Sequence, residues 1–311
     1  MARPFGAGTA SGTRTRGTLV AVAVLSSAGI GAAPRSLPAQ QAFTQQIVLI
    51  PPFEGKDRRL GNAVADAVRG RIQGYYKRRE VAVIGEYAME RVLERSSIDP
   101  ASFDTVMVRQ LARELRADEV ITGVVERVNA RIRVHPRLVL TRDRRLARSL
   151  QPIDAPTADS AGALVASAMT IVRRQLGPHR RCENGVRAGT LDAVIADARQ
   201  AVTTLADAVV LRACLVNALV LSGGSAGEVL AEAQRILAVQ PTAYWGLDAA
   251  ARSYDALNDK PNAAEMWLRL AASDSLDLTL ARRVLTALLS GGNAPRAKPL
   301  VVTLSDANPD D

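Results

Sequence analysis

The chain has 311 residues, 48% of them hydrophobic and 23% charged, which supplies enough apolar side chain for folded domains and excludes wholesale disorder. Two His and two Cys exclude a Cys/His-rich zinc scaffold, no metal or cofactor site is assigned, and aromatics at 4% leave few stacking anchors. The net charge of +9 is unevenly placed, +9 over residues 40–181 and −4 over residues 182–311; only four of the 40 basic residues are Lys, so a lone exposed Arg says little.

Arg3, Arg14 and Arg16 precede the apolar run Thr18–Leu25, and small residues fill Ser26 to Ala33. A positive start, a short apolar run and a small-residue exit are the layout of a secretory signal peptide, expected over 1–39. Cleavage is expected after Ala33 or Ala39, with Ala39 preferred. The run is too short to cross a bilayer, and no later stretch approaches a transmembrane helix. The expected location is therefore periplasmic or secreted.

Residues 40–177 alternate strand and helix signals. Ile47–Ile50 reads as a buried strand ended by Pro51-Pro52. Leu60, Val64, Val68 and Ile72 recur every four residues on one helix face, closed by Gly74 and Lys77-Arg78-Arg79. Val81–Ile84 is a second strand, and Tyr87–Leu93 a short helix. A turn is expected at Asp99-Pro100, then a helix capped by Asp104 with Val108, Leu111 and Leu115 on its face. Strands are expected at Glu119–Val125, Arg131–Val134 and Leu138–Leu140, the last two turning at His135-Pro136. A final helix, 161–176, should face the core through Leu164, Ala168, Val172 and Leu176. The order β-α-β-α-α-β-β-β-α predicts an α/β mixed sheet covered by helices.

The runs Ile47-Val-Leu-Ile-Pro-Pro-Phe53, Val81–Ile84, Leu111–Leu115 and Ala117-Asp-Glu-Val-Ile-Thr-Gly123 together resemble the amino-terminal module of TolB and the related CsgG-like modules. The resemblance spans roughly 130 residues, and it implies an assembly or docking domain. Outside that pattern stands an Arg-rich hairpin: Arg131, Arg133, Arg137, Arg142, Arg144, Arg145 and Arg148. It reads either as a surface for an anionic partner or as a charged edge that blocks strand pairing. Nothing resembles a recognition helix or a stacking platform, so nucleic acid is not an expected partner.

Beyond Pro178 the period changes. Ser222-Gly-Gly-Ser-Ala226 and Ser290-Gly-Gly-Asn-Ala294 lie 68 residues apart, as do Pro241 and Pro309, with a turn at Ala256–Asp259 midway. A 34-residue period is that of the tetratricopeptide (TPR) repeat, a helix-turn-helix unit. Residues 244–277 resemble it best, through Leu247, Ala250, Ala251, Tyr254, Asn258 in place of the turn Gly, Ala263, Trp267 and Leu270. Units 210–243 and 278–311 share the phase. An earlier unit through Cys182, Gly189, Val194, Ala198 and Ala201 runs one residue out of it. The fold class is thus an α/β domain followed by an all-α solenoid over 178–311.

The TPR resemblance implies a concave face lined by first helices, with Trp245, Asp248, Arg252, Asp255 and Arg282 at its groove positions. They are either partner-binding or merely solvated. No polar helix caps the last unit, so it packs on the other domain, a second copy or a partner. Cys182 and Cys214 fall on first helices of adjacent units. They are a disulfide in an oxidising compartment, or two buried thiols if the register leaves their Cα atoms beyond about 7 Å. Gly223-Gly-Ser225-Ala-Gly227 matches a nucleophile elbow in letters, yet a helix precedes it and no His follows. His135 and His179 adjoin prolines and read as surface or turn residues. The reading is a non-enzymatic adaptor with a protein or peptide partner in the cell envelope. The alternative is an anionic-ligand sensor using the basic hairpin.

Overall fold

The computed structural model describes residues 45–95, 105–143, 145–205, 207–273 and 278–307. The signal-like segment 1–39, the turn at Asp99-Pro100, the Asp104 cap, Arg144 and Pro309 lie outside the described residues. β1 (Gln46–Leu49) is flanked by two parallel neighbours, β2 (Val81–Val83) and β3 (Glu119–Val128). β3 then turns into an antiparallel hairpin with β4 (Arg131–Leu140). Two short strands, β5 (Ala147–Ser149) and β6 (Ile153–Ala155), pair in succession with the far edge of β4. The result is the mixed sheet β2-β1-β3-β4-β5, with β6 also on β4.

Helices α1 (Arg58–Tyr75) and α4 (Ala158–Arg173) cover one face of the sheet. Helices α2 (Glu86–Arg95) and α3 (Thr105–Glu114) cover the β1–β2 end of the other. Leu60, Val64, Val68 and Ile72 are buried on α1, as their spacing requires. Of the face expected for this helix, Val172 and Leu176 are buried, but its first two positions are off by one. Leu164 is 48% exposed and Ala168 only half-buried, while Ala161, Val165, Met169 and Val172 are buried. The reason is small side chains. Gly162 sits where a Cβ would meet the Ala67 Cβ at 2.4 Å, so α4 turns its Ala/Gly side, not its Leu side, toward α1.

The turn expected at His135-Pro136 is not there. β4 runs unbroken through both residues, pairing Pro136 with Gly123, where a side chain would strike the His135 carbonyl at 2.2 Å. The hairpin turn is Asn129-Ala130, both at positive φ (49° and 63°), between the paired Val128 and Arg131. Strands β5 and β6 were not expected.

Glutamine side chains close both ends of the sheet. On β2, Gln73 Oε1 accepts the Val83 N–H at 3.2 Å. On β5, Gln240 accepts the Ser149 N–H at 3.1 Å and donates to the Ala147 carbonyl at 3.1 Å. Edge groups that would otherwise template another strand are thus occupied.

Among the described residues eight helices follow in four antiparallel pairs: α5 (Leu176–Arg187) with α6 (Leu191–Thr204), and α7 (Val209–Leu221) with α8 (Ala226–Val239). Then come α9 (Tyr244–Ala256) with α10 (Lys260–Ser273), and α11 (Leu278–Ser290) with α12 (Ala294–Ala307). Each pair is joined by one turn geometry. Gly189, Gly223, Asn258 and Gly292 all sit at φ between 61° and 76°. The next residue's N–H returns to the first helix: Thr190 to Gly185, Gly224 to Leu219, Asp259 to Tyr254 and Asn293 to Leu288. These are Schellman closures, which a left-handed residue at that position makes possible. The left-handed residues step by 34, 35 and 34 positions. The one-residue phase slip therefore does not belong to the first unit. It is the extra Gly224 in the α7–α8 turn.

Among the described residues, strand sheet and helix array belong to one compact unit. Val210 of α7 belongs to the sheet's core, and Leu146 of the β4–β5 loop belongs to the array's core. Gln175, buried between α4 and α5, donates to the Asp207 carbonyl at 2.8 Å and accepts the Val210 N–H at 2.7 Å.

Candidate functional site

In stacked helix pairs the first helices line the inner face of the array. Here those are α5, α7, α9 and α11. On α5, Gly185 faces α6, where a Cβ would meet Val194 at 2.1 Å, so the opposite side of the helix is the inner one. That inner side carries Leu176, His179, Arg180 and Glu183, and it is not open. Together with Asp118, Glu119, Leu140, Arg142, Asp143 and Leu146 these residues line a cavity of about 30 Å³. The β4–β5 loop of the α/β half thus lies over the first units of the array.

His179 is only 2% exposed, contrary to the surface role expected for it, and its Nε2 has no hydrogen-bond partner. Pro178 does not break α5 because it stands in the first turn, where its missing N–H would be unbonded anyway. Burial, then the charges of Arg180 and Arg142, push the His179 pKa down to about 4. Beneath this seam Arg173 makes a two-pronged pair with Glu119 at 2.7 and 2.9 Å, both groups buried. The Tyr76 ring lies 4.5 Å from that guanidinium. Burial alone would lower the Arg173 pKa, but the charge and hydrogen bonds of Glu119 raise it.

Cys182 and Cys214 are joined as a disulfide, with Cα atoms 6.3 Å apart. The bond links α5 to α7, within the cluster that also holds Leu146 and Val209.

The expected groove residues divide. Trp245 is drawn to the α/β half: its indole N–H donates to Asp143 Oδ2 at 2.9 Å. It is therefore a half-buried seam residue in this structure, not an anchor standing open in the groove. Arg145 lies over the neighbouring Tyr244 ring at 4.5 Å. Asp248, 7% exposed, accepts from Arg252 Nε at 3.0 Å and from Arg283 Nη2, which crosses from α11. Asp255 accepts from Trp267 Nε1 at 2.9 Å and Lys260 Nζ at 3.3 Å. Arg252 and Arg282 are exposed. The structure brings Asp248 and Arg252 together, adds Tyr244 and Arg283, and gives Asp255 to the α9–α10 contact. Sequence reasoning missed Arg283; its place one residue after a groove position was the available signal.

The Arg-rich segment is not one surface. Arg131, Arg133 and Arg137 point from β4 to the sheet face away from α1 and α4, in alternation with buried Ile132, Val134 and Leu138. Arg133 forms a two-pronged pair with Asp154 of β6 at 2.8 and 2.9 Å, which raises the Arg133 pKa and lowers that of Asp154. Arg131 donates to the Asp154 carbonyl at 3.4 Å. Arg142 lines the seam cavity, Arg145 stacks on Tyr244, and Arg148 is buried against Asp207. These arginines lie on a sheet face and in the seam, not along one edge.

Ser225 of the elbow-like pattern is a helix cap. Its hydroxyl accepts the Glu228 N–H at 3.3 Å and Glu228 answers to the Ser225 N–H, closing a capping box on α8. Hydrogen bonds from the Ser225 backbone and side chain, and from Arg199, hold the Glu228 carboxyl below its usual range. Among the described residues no group of three or more His, Cys, Asp and Glu is placed to hold a metal ion. No helix among them is long and apolar enough to cross a membrane.

No family model and no curated protein matches the chain. Among solved structures it is similar to MamA, at 13% identity and a TM-score of 0.37, over 48% of this chain and 80% of that one. A MamA point variant gives 18% and 0.34, over 44% and 80% of the two chains. A further MamA structure, titled MSR-1 C2, gives 17% and 0.33, over 45% and 79%. Likeness at that level says nothing about partner or activity. The fold itself is a mixed α/β sheet module followed by a TPR-like helical array.

Proposed function

We propose that this chain is an exported, non-enzymatic scaffold that holds a protein partner on the inner face of its helical array. One observation carries the reading. The inner face of the first units is covered by the chain's own β4–β5 loop, which reaches as far as Tyr244 and Trp245 at the start of α9, whereas further along α9 and on α11 charged side chains, Arg252 and Arg282 among them, are exposed. The α/β half, in its resemblance to the TolB amino-terminal and CsgG-like modules, serves as a docking head held against the array. The domain division at residues 39 and 177 belongs to this proposal. So does the periplasmic or secreted location, supported by the signal-like residues 1–39 and by the Cys182–Cys214 bond.

Capture from envelope extract by residues 40–311, compared with the same chain carrying Arg252→Ala and Arg282→Ala, tests the scaffold reading. Loss of the captured protein with unchanged thermal unfolding is expected. Equal capture by both chains overturns it. Fractionation of cells expressing the full chain tests the location, and retention of unprocessed protein in the cytoplasm refutes it.

A further inference from the structure

We propose that the seam cavity under the β4–β5 loop binds a small oxyanion, a carboxylate or phosphate group held jointly by Arg142, Arg180 and His179. The site lies apart from the exposed stretch of α9 and α11 and does not depend on the scaffold reading. Room comes first. The cavity measures about 30 Å³, where one ordered water needs roughly 10–15 Å³. It therefore takes two or so water-sized groups, such as the oxygens of one oxyanion. Its lining grades inward from exposed Arg142, through half-buried Arg180, to His179 at 2% exposed.

Unmatched donors come second. Among the described residues neither the Arg142 nor the Arg180 guanidinium has a hydrogen-bond or ion-pair partner. His179 Nε2 is buried without one. The neutral imidazole carries one proton, and with it on Nε2 the ring supplies a third donor. The carboxylates on the wall are engaged. Asp118 accepts the Ile47 N–H at 2.9 Å, Glu119 takes both prongs of Arg173, and Asp143 accepts the Trp245 indole N–H at 2.9 Å. Glu183 lies 3.7 Å from Arg187 and 3.9 Å from His179 Nε2, the latter beyond hydrogen-bond reach. Buried polar groups are nearly always paired, so an unpaired nitrogen on the wall of an open volume marks a place for an acceptor.

Charge points the same way. At His179, burial and then the positive charges of Arg180 and Arg142 disfavour the imidazolium, and no carboxylate is set against them. Burial lowers the Arg180 pKa, and the pull of Glu119 and Asp118 offsets that only in part. The inner end of the cavity is thus short of negative charge although four carboxylates stand around it. An oxyanion there relieves the repulsion between Arg142 and Arg180 through charge-assisted hydrogen bonds. One arginine follows β4 and the other sits on α5, so the ligand also ties the sheet to the array.

Of the two His in the chain, His179 alone lines the cavity, so NMR of ring-labelled histidine in the purified protein reads the site directly. Inorganic phosphate and acetate are titrated separately at neutral pH and constant ionic strength, with magnesium chloride as the cation probe. A saturable shift of the His179 resonance, with His135 unmoved, is expected. A response to phosphate only assigns a phosphate group, to acetate only a carboxylate, and to both any small oxyanion. Arg142→Ala and Arg180→Met should each weaken binding about tenfold or more, the loss of one charge-assisted contact. Arg79→Ala, at an exposed position after α1, should not. Arg142 is exposed, so its variant keeps the fold and decides the matter alone if Arg180→Met does not fold. No saturable shift with either anion overturns the proposal. So does a shift that both arginine variants leave unchanged, which is an effect of bulk salt. A response to magnesium alone also overturns it and makes Asp118 and Glu183 the working groups.

Discussion

Arg148 of β5 and Asp207, just before α7, form a two-pronged ion pair across the seam, with Nε to Oδ1 at 3.0 Å and Nη2 to Oδ2 at 2.8 Å. The Arg148 side chain is 9% exposed and that of Asp207 25%, so neither charge is fully hydrated. Sequence composition marks Arg148 as one more surface arginine; the fold makes it a joint between sheet and array. Removing one partner leaves the other half-desolvated and alone, which costs more than the pair contributes. Asp207→Ala should lower unfolding stability by about 2–3 kcal/mol. Replacing both residues by apolar ones of similar size should cost less. Urea unfolding of the two variants checks the order; a double replacement that is worse than Asp207→Ala contradicts it.

The Asn129-Ala130 turn offers the opposite sign. Ala130 holds φ at 63°, where its Cβ crowds the following carbonyl. The turn type favours Gly at its second central position. Ala130→Gly should therefore stabilise the protein by about 0.5–1 kcal/mol, relief of strain outweighing the added freedom of the unfolded chain. A lower midpoint in thermal unfolding would falsify the assignment of strain to this residue.

What could be read in advance follows a physical divide. Period and burial are local properties of the chain. The α1 face, the four-residue steps of Leu60 to Ile72 and the repeated helix-turn-helix unit are visible because each hydrophobic recurrence reports its own element. What was missed depends on partners far along the chain. Pro136 reads as a turn until one sees that Gly123 opposite it has no side chain, so the strand passes. Trp245 reads as a groove anchor by its position in the repeat, but its donor is taken by Asp143, about a hundred residues earlier. Nothing local to either segment encodes those meetings. The same holds for Arg283 and for His179, whose burial comes from a loop of the other half.

That burial makes His179 acid-sensitive. Its folded pKa is depressed to about 4 from the ordinary 6.5, so the neutral imidazole is the folded form. As pH falls below 6.5 the unfolded chain takes up a proton that the folded chain refuses until about pH 4. Stability is therefore undiminished by this group above pH 6.5 and is lost progressively between 6.5 and 4, on the order of 3 kcal/mol in all. His179→Gln should flatten that part of the profile. Urea titrations at pH 7, 5.5 and 4 on both proteins measure it. An unchanged slope in the variant shows that His179 is not the source of the acid sensitivity.

The Cys182–Cys214 bond closes a loop with a sequence separation of 32 between the first helices of consecutive units. A cross-link of that span removes freedom mainly from the unfolded chain, which chain-entropy estimates put at roughly 3–4 kcal/mol. Both residues are also buried in a close-packed cluster, so their thiol forms would still pack as small hydrophobes after reduction. Reduction and folding are thus separable: the reduced protein should keep its helical content and lose stability. In circular dichroism, reductant should lower the thermal midpoint while leaving the folded spectrum at 20–25 °C in place (about room temperature). Cys182→Ala with Cys214→Ala should reproduce the lower midpoint and become insensitive to reductant. The same bond reports the compartment. Alkylation of native, unreduced protein taken from cells should modify no cysteine if the chain folds where disulfides persist. Two alkylated cysteines per chain would remove both the bond and one of the two supports for an exported protein.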